Sequence, residues 1–276
     1  MFKSEDRAIV KKAAIEARSF IKEHKAEFWE LYKPLAYLFV FLMFFDAYMS
    51  NWYPSRFSPK FTWGGNITAV LFAFFQIRLF YFFSNSSEYA GKFKYFLPKK
   101  LEWKVILVTA GVSSFFLAVF GGLGFVFFGR LHSYIGTEGV ALILTVFVFL
   151  LFLYISIRLS FYIIARFSGH KLTLWQSISA TDGFVLKIFL AYFLSAWKLI
   201  VVLFFLLFAT GMLGIMVAKN GVSYQLSTLI TSVFVDLPTF VYFLPLLSAH
   251  YIATVLFFYK NFMAEKGITE DDLLNG

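Results

Sequence analysis

The stretch Phe184–Ala218 reads FVLKIFLAYFLSAWKLIVVLFFLLFATGMLGIMVA, and its only charges are Lys187 and Lys198. As one α-helix it would measure ~50 Å at ~1.5 Å per residue, against a bilayer hydrocarbon layer ~30 Å thick. A helix apolar all round is buried in a large core or in lipid. This one is long enough to cross a bilayer with length to spare, so it must tilt, protrude or break, and Gly211 and Gly214 mark the place. Composition points the same way. Hydrophobic residues make up 60% of the 276, aromatic residues 22%, and the mean hydropathy is +0.74. Ordinary water-facing domains fall well below that.

With no cysteine in the chain, disulfides, thiolate catalysis and Cys-based metal sites are excluded. The net charge of +9 reads as a cytosolic face meeting anionic lipid, not as nucleic-acid binding. The charged N-terminus does not read as a cleavable signal, which would have an apolar core close to its start.

Taken in order, Ser4–Tyr32 reads as an amphipathic helix. Ser4 suits the cap, and Glu5 and Asp6 suit the first turn. Ile9, Val10, Ala13, Ala14, Ala17, Phe20, Ile21, Phe28 and Leu31 share one face, with Arg7, Lys11, Arg18, Lys22 and Lys25 opposite. Such a helix fits the cytosolic membrane surface or the protein's own bundle. Spans are then expected at about 35–49, opened by Pro34, and at 66–83, 105–128, 140–165, 184–218 and 237–259. Asn66-Ile67-Thr68 reads as a helix cap rather than a glycosylation sequon. The loop KFKYFLPKKLEWK alternates lysines with aromatics. The GGLGFVFFG run lacks the spacing of a dinucleotide fingerprint and reads as a bend or a close helix approach. LTLWQSISATDG reads as a short helix, Thr228–Val235 as too short to span, and Pro245 as a kink in the last helix.

These spans would divide Lys and Arg unequally between the two sides. The N-terminal segment holds eight, the loop after the second span five, the loop after the fourth two and the tail two, against Arg56, Lys60, Arg130 and Lys219 on the other side. That bias places both termini in the cytosol. The domain reading is a cytosolic helix at 1–33, a six-helix membrane domain at 34–260 and a tail at 261–276.

Residues 156–190 carry a further pattern: Arg158, Ser168-Gly169, Ser177-Ile178, Thr181-Asp182-Gly183 and Lys187. It resembles the bacterial six-helix membrane domain attached to some glycerophosphodiester phosphodiesterases, and related stand-alone inner-membrane proteins. Ile178 stands where that family tends to have an aromatic residue, and Leu186 where it often has Trp. The resemblance implies a six-helix bundle in a bacterial inner membrane, with Ser177, Thr181, Gly183 and Lys187 as an interface motif. It implies no hydrolase activity, because the catalytic barrel is absent from this sequence.

Ionisable side chains within spans are costly and are functional candidates by default. Counted from the cytosolic ends at ~1.5 Å per residue, Asp46, Arg78, Arg158, Lys198 and His250 fall in one layer, roughly 9–18 Å deep. Two accounts fit. In one, Asp46 pairs with Lys198 while Arg78 and Arg158 snorkel to headgroups. In the other, Arg78, Arg158, Lys198 and His250 hold a phosphate or carboxylate of an anionic lipid headgroup, with Asp46 as their intramembrane charge partner.

No HExxH, GxSxG or P-loop occurs, and His24, His132, His170 and His250 are scattered. These features point away from an enzyme, and no metal or other cofactor is expected. The expectation is an all-α, multi-pass protein of the bacterial inner membrane, acting as a lipid-associated subunit or accessory factor with anionic lipids or other membrane proteins as partners. The alternative is a small transporter or exporter component for an anionic or lipidic substrate.

Overall fold

A computed structural model describes residues 4–52, 75–76, 78–84, 103–105, 107–108, 111, 115, 132–168, 172–219, 234 and 237–265. Every named element among them is helical: α1 (Ser4–Glu23), α2 (Lys25–Trp52), α3 (His132–Phe167), α4 (Leu174–Ala180), α5 (Val185–Lys219), a π-helical turn (Thr239–Phe243) and α6 (Leu244–Glu265). The chain forms two compact units. The first is Met1–Leu79, Ser86–Phe93 and Leu190–Thr254; the second is Phe80–Asn85, Lys94–Phe189 and Val255–Gly276. The bulk of α5 and the first half of α6 therefore belong to the first unit, and their other ends to the second.

In the first unit, α1 buries Val10, Ala13, Ala14, Ala17 and Ile21, the face its spacing predicts, while Ile9 stays exposed. Small alanines on that face let α1 lie close against its neighbours. α2 then supplies the aromatic centre. The Tyr32 ring lies 4.7 Å from that of Phe75 and 6.3 Å from that of Phe39, and Phe28 meets Phe75 edge-on at 6.2 Å. Trp29 stacks on Tyr242 at 5.9 Å and so ties α2 to the π-helical turn. Pro34 does not open a helix, as the sequence suggested, but lies inside α2. Pro245 does disturb its helix. It has no N–H to donate one turn back and its ring crowds that carbonyl, and the backbone ahead of it widens into the π-helical turn.

In the second unit, the fully buried Phe161 of α3 packs against the turn before α5 and the end of α6. Its ring lies 5.4 Å from Tyr259 edge-on, 5.8 Å from Phe262 and 6.4 Å from Phe184. Tyr81 packs edge-on against Phe167 at 5.5 Å.

The all-α class stands, but the six-span architecture does not. Among the described residues two helical stretches are long and apolar enough to cross a membrane, Val185–Leu206 and Val241–Glu265, and 61% of an apolar 18-residue window of the second is buried within the protein itself. Near the middle of the first stretch, Arg18 of α1 donates from Nε to the Ser195 carbonyl (3.1 Å) and from Nη2 to that of Leu194. Lys198 is exposed one turn further on. Two cations at that level are costly in hydrocarbon. Apolarity and length alone do not tell a crossing helix from one packed in a protein core, and that is where the sequence reading failed.

The multi-pass inner-membrane location and the cytosolic placement of both ends fall with the six spans, since the charge count presupposed them. The lipid-associated role, the transporter alternative and the partnership with anionic lipids or other membrane proteins fall for the same reason. The glycosylation-like triplet, most of the lysine–aromatic loop, the GGLG run, most of the third expected span, Lys171, most of 228–236 and most of the tail lie outside the described residues.

Candidate functional site

The best-defined polar constellation sits in the second unit, where α3, α4 and the turn into α5 meet. α4 begins with a capping box. The Thr173 hydroxyl accepts from the Gln176 N–H at 3.3 Å, and the Gln176 side chain accepts from the Thr173 N–H at 2.8 Å. Two otherwise unbonded N–H groups are thereby satisfied. The short helix that the sequence suggested over this stretch is therefore present, at Leu174–Ala180.

Ser177, fully buried on α4, straddles one rung of α3. Its hydroxyl donates to the Arg158 carbonyl (3.0 Å) and accepts from the Tyr162 N–H (2.8 Å), the two groups that an undisturbed helix joins directly. The Arg158 side chain then reaches back over α4. Its Nη1 donates to the Ile178 carbonyl (2.7 Å), the Thr181 hydroxyl (3.3 Å) and the Asp182 carboxylate. Nε and Nη2 donate to the Tyr154 hydroxyl, one turn earlier on α3, at 3.1 and 2.8 Å. Burial alone would lower the guanidinium's pKa. The hydrogen bonds it donates to Asp182 and Tyr154 outweigh that and hold Arg158 above its ordinary value.

Thr181, also fully buried, donates its hydroxyl to the Ile178 carbonyl at 2.9 Å, and Gly183 at φ 78° turns the chain into α5. That left-handed conformation is the reason for glycine here. A Cβ at Gly183 would meet nothing within 4 Å, so Gly183→Ala should cost only the backbone strain, about 1 kcal/mol. Gly183→Asn should cost less, because Asn tolerates the left-handed region best among side-chain-bearing residues. Urea midpoints of the two variants check both.

The arrangement thus gathers Arg158, Ser177, Thr181 and Gly183. Lys187 follows in the first turn of α5, its ammonium 5.7 Å from the Phe184 ring centroid. Asp182 lies inside the sequence pattern, but nothing in the pattern pairs it with Arg158. Tyr154 stands outside the pattern, although a tyrosine four residues before an arginine on one helix is a readable pair.

The other expected anion-site residues belong to the first unit. Arg78 is buried, at 8% exposure, whereas Lys198 is exposed and lies 5.9 Å from the Trp197 ring centroid. The two do not share one environment. Asp46 falls within α2, and its side chain lies outside the described set. His250 is on α6. Its carbonyl accepts from the Thr254 hydroxyl at 2.8 Å, while its Nδ1 is buried without a hydrogen-bond partner among the described residues. Nearby, Gln76 donates to the Ser248 hydroxyl at 3.2 Å.

Burial, with the Arg18 charge adding to it, pushes the His250 imidazole down to about 4. An unfolded chain would bind that proton near 6.5, so acid favours unfolding from pH 6.5 down to about 4 and adds nothing below. Between pH 7 and pH 5 the loss should be about 2 kcal/mol. His250→Gln should flatten that part of the pH profile in urea titrations.

No known protein family, curated protein or solved structure matches the chain. The resemblance to the six-helix phosphodiesterase-linked domain is therefore not sustained. Arg158, Ser177, Thr181 and Asp182, four of the residues that carried it, have a local explanation in the α3–α4 clasp, which any chain needing to lock a short helix against a long one would find useful. Among the described residues no group of three or more His, Cys, Asp or Glu is placed to hold a metal ion.

α5 also carries an exposed apolar face. Along α5, Phe204 and Phe205 are each 64% exposed and Phe208 60%. Leu194, Trp197, Val201, Val202 and Met212 are exposed with them. Arg18 fixes α1 across the start of this face through the Leu194 and Ser195 carbonyls, and Ser195 donates its hydroxyl to the Tyr192 carbonyl at 2.9 Å.

Proposed function

We propose that this chain is a non-enzymatic assembly protein whose task is to hold α5 so that its apolar face meets a helix of a protein partner. The observation that carries the reading is the cluster of exposed apolar side chains between Phe193 and Met212 on α5, larger than the scattered apolar residues of an ordinary surface. Helix-in-groove and helix-on-helix recognition use anchors at this kind of spacing. The rest of the described structure supports that task. The α3–α4 clasp and the Gly183 turn fix where α5 begins, and Arg18 ties α1 to it at Leu194 and Ser195. No catalytic motif competes for the role.

A photoreactive phenylalanine analogue placed at Phe204 or Phe208 in living cells tests the reading. Irradiation should give protein adducts from both positions and none from Lys11 on the exposed face of α1. The same face is apolar enough to meet lipid, so adducts to lipid alone, or no adduct, would overturn it.

A further inference from the structure

The spacing along α5 says which partner. Leu194, Trp197, Val201, Phe204 and Phe208 are all exposed, and they recur at alternating intervals of three and four residues. That is the interval of a helix seam that packs against another seam of the same period. Phe193, Phe205 and Met212 flank it, widening the face on both sides, and all three are exposed. Lys198 also lies on the flank, beside Trp197, at the kind of position where packed helices carry their charges. The seam itself carries no charge.

From the fractional exposures, the seam and its flanks offer on the order of 900 Å² per chain. A stable protein–protein contact needs about 800 Å² from each partner. A single self-complementary patch of that size suits a two-fold pair, in which each copy gives and receives the same contact.

We infer that the occupant of the α5 face is the α5 face of a second copy of this chain. The inference rests on the assembly reading above and narrows it to one partner. The full-length chain at micromolar concentration should scatter light as a particle of twice 31.8 kDa. The variant Val201→Lys with Phe204→Glu should return it to 31.8 kDa with its helical circular dichroism unchanged. A wild-type chain that stays at the single mass would overturn the inference.

Because the chain has no cysteine, a second test needs no variant with an altered charge. Cysteines introduced one at a time at Trp197, Val201, Phe204 and Phe208 should yield a disulfide-linked dimer on mild oxidation from at least one seam position. A cysteine at Lys11 should yield none. No dimer from any seam position would also overturn the inference.

The photo-adducts separate this failure from that of the broader reading. In cells carrying two differently tagged copies, adducts from Phe204 should bear both tags. Adducts to a different protein would sink the second copy and leave the assembly role standing. Lipid adducts or none would sink both.

Discussion

Phe161→Ala should destabilise the protein by about 3–5 kcal/mol, the range for removing a fully enclosed aromatic ring. Phe161 has 0% exposure and sits among Phe184, Tyr259 and Phe262, at 6.4, 5.4 and 5.8 Å between ring centroids. Those rings come from the turn before α5 and from the end of α6, so nothing on α3 alone can refill the space. The cost has two parts, the lost transfer energy of the ring and the void that rigid neighbours leave open. Phe161→Leu keeps most of the volume and should cost roughly 1–1.5 kcal/mol. Urea denaturation followed by circular dichroism measures both losses. Hydrogen exchange should speed up most at Tyr162–Ala165 and Phe258–Met263, where the same core is built. A uniform loss of less than about 1 kcal/mol for the alanine variant would mean that Phe161 is not the centre of its unit.

That core was only half legible in the sequence. The helices were readable where the pattern was strong: the alanine stripe of α1, the short LTLWQSISATDG helix of α4, and the long apolar run of α5. What hydropathy could not supply was the identity of the surroundings. Phe28, Tyr32 and Phe39 read as apolar whether they meet lipid or one another, and here they meet one another and Phe75. The sequence counted Arg78, Arg158 and Lys198 as one layer of cations because depth was inferred from spans. The fold buries the first, pairs the second with Asp182 and exposes the third. Arg18 was read as one charge among several on the polar side of α1. Its carbonyl partners lie 176 and 177 residues away, a separation no local pattern encodes. The Ser177 hydroxyl on the Arg158–Tyr162 rung is equally hidden. A serine in a short helix looks like a weak helix former until its neighbour is known.

Arg158→Ala should be the most costly change within the α3–α4 clasp, at about 2 kcal/mol, because several hydrogen bonds from one charged donor are lost together. The guanidinium is mostly enclosed, with 17% side-chain exposure, and its donors satisfy the Ile178 carbonyl, the Thr181 hydroxyl and the Tyr154 hydroxyl as well as Asp182. Removing it leaves the buried Thr181 hydroxyl without that donor, whereas Tyr154 is exposed and water can reach its hydroxyl. Asp182 is different. Its side chain is 66% exposed, so water replaces much of what Arg158 gave it, and Asp182→Asn should cost less than about 1 kcal/mol. The asymmetry separates two views of the clasp. If the ion pair were its main strength, the two variants would be equally unstable. If the arginine acts chiefly as a multiple donor locking α4 to α3, Arg158→Ala with Asp182→Asn should cost little more than Arg158→Ala alone. Arg158→Lys should recover less than half of the loss, because an ammonium cannot fork between Tyr154 and the end of α4. Urea midpoints for the four variants, with hydrogen exchange at Ser177–Phe184, give the answer. Equal costs for Arg158→Ala and Asp182→Asn would transfer the role to the charge pair.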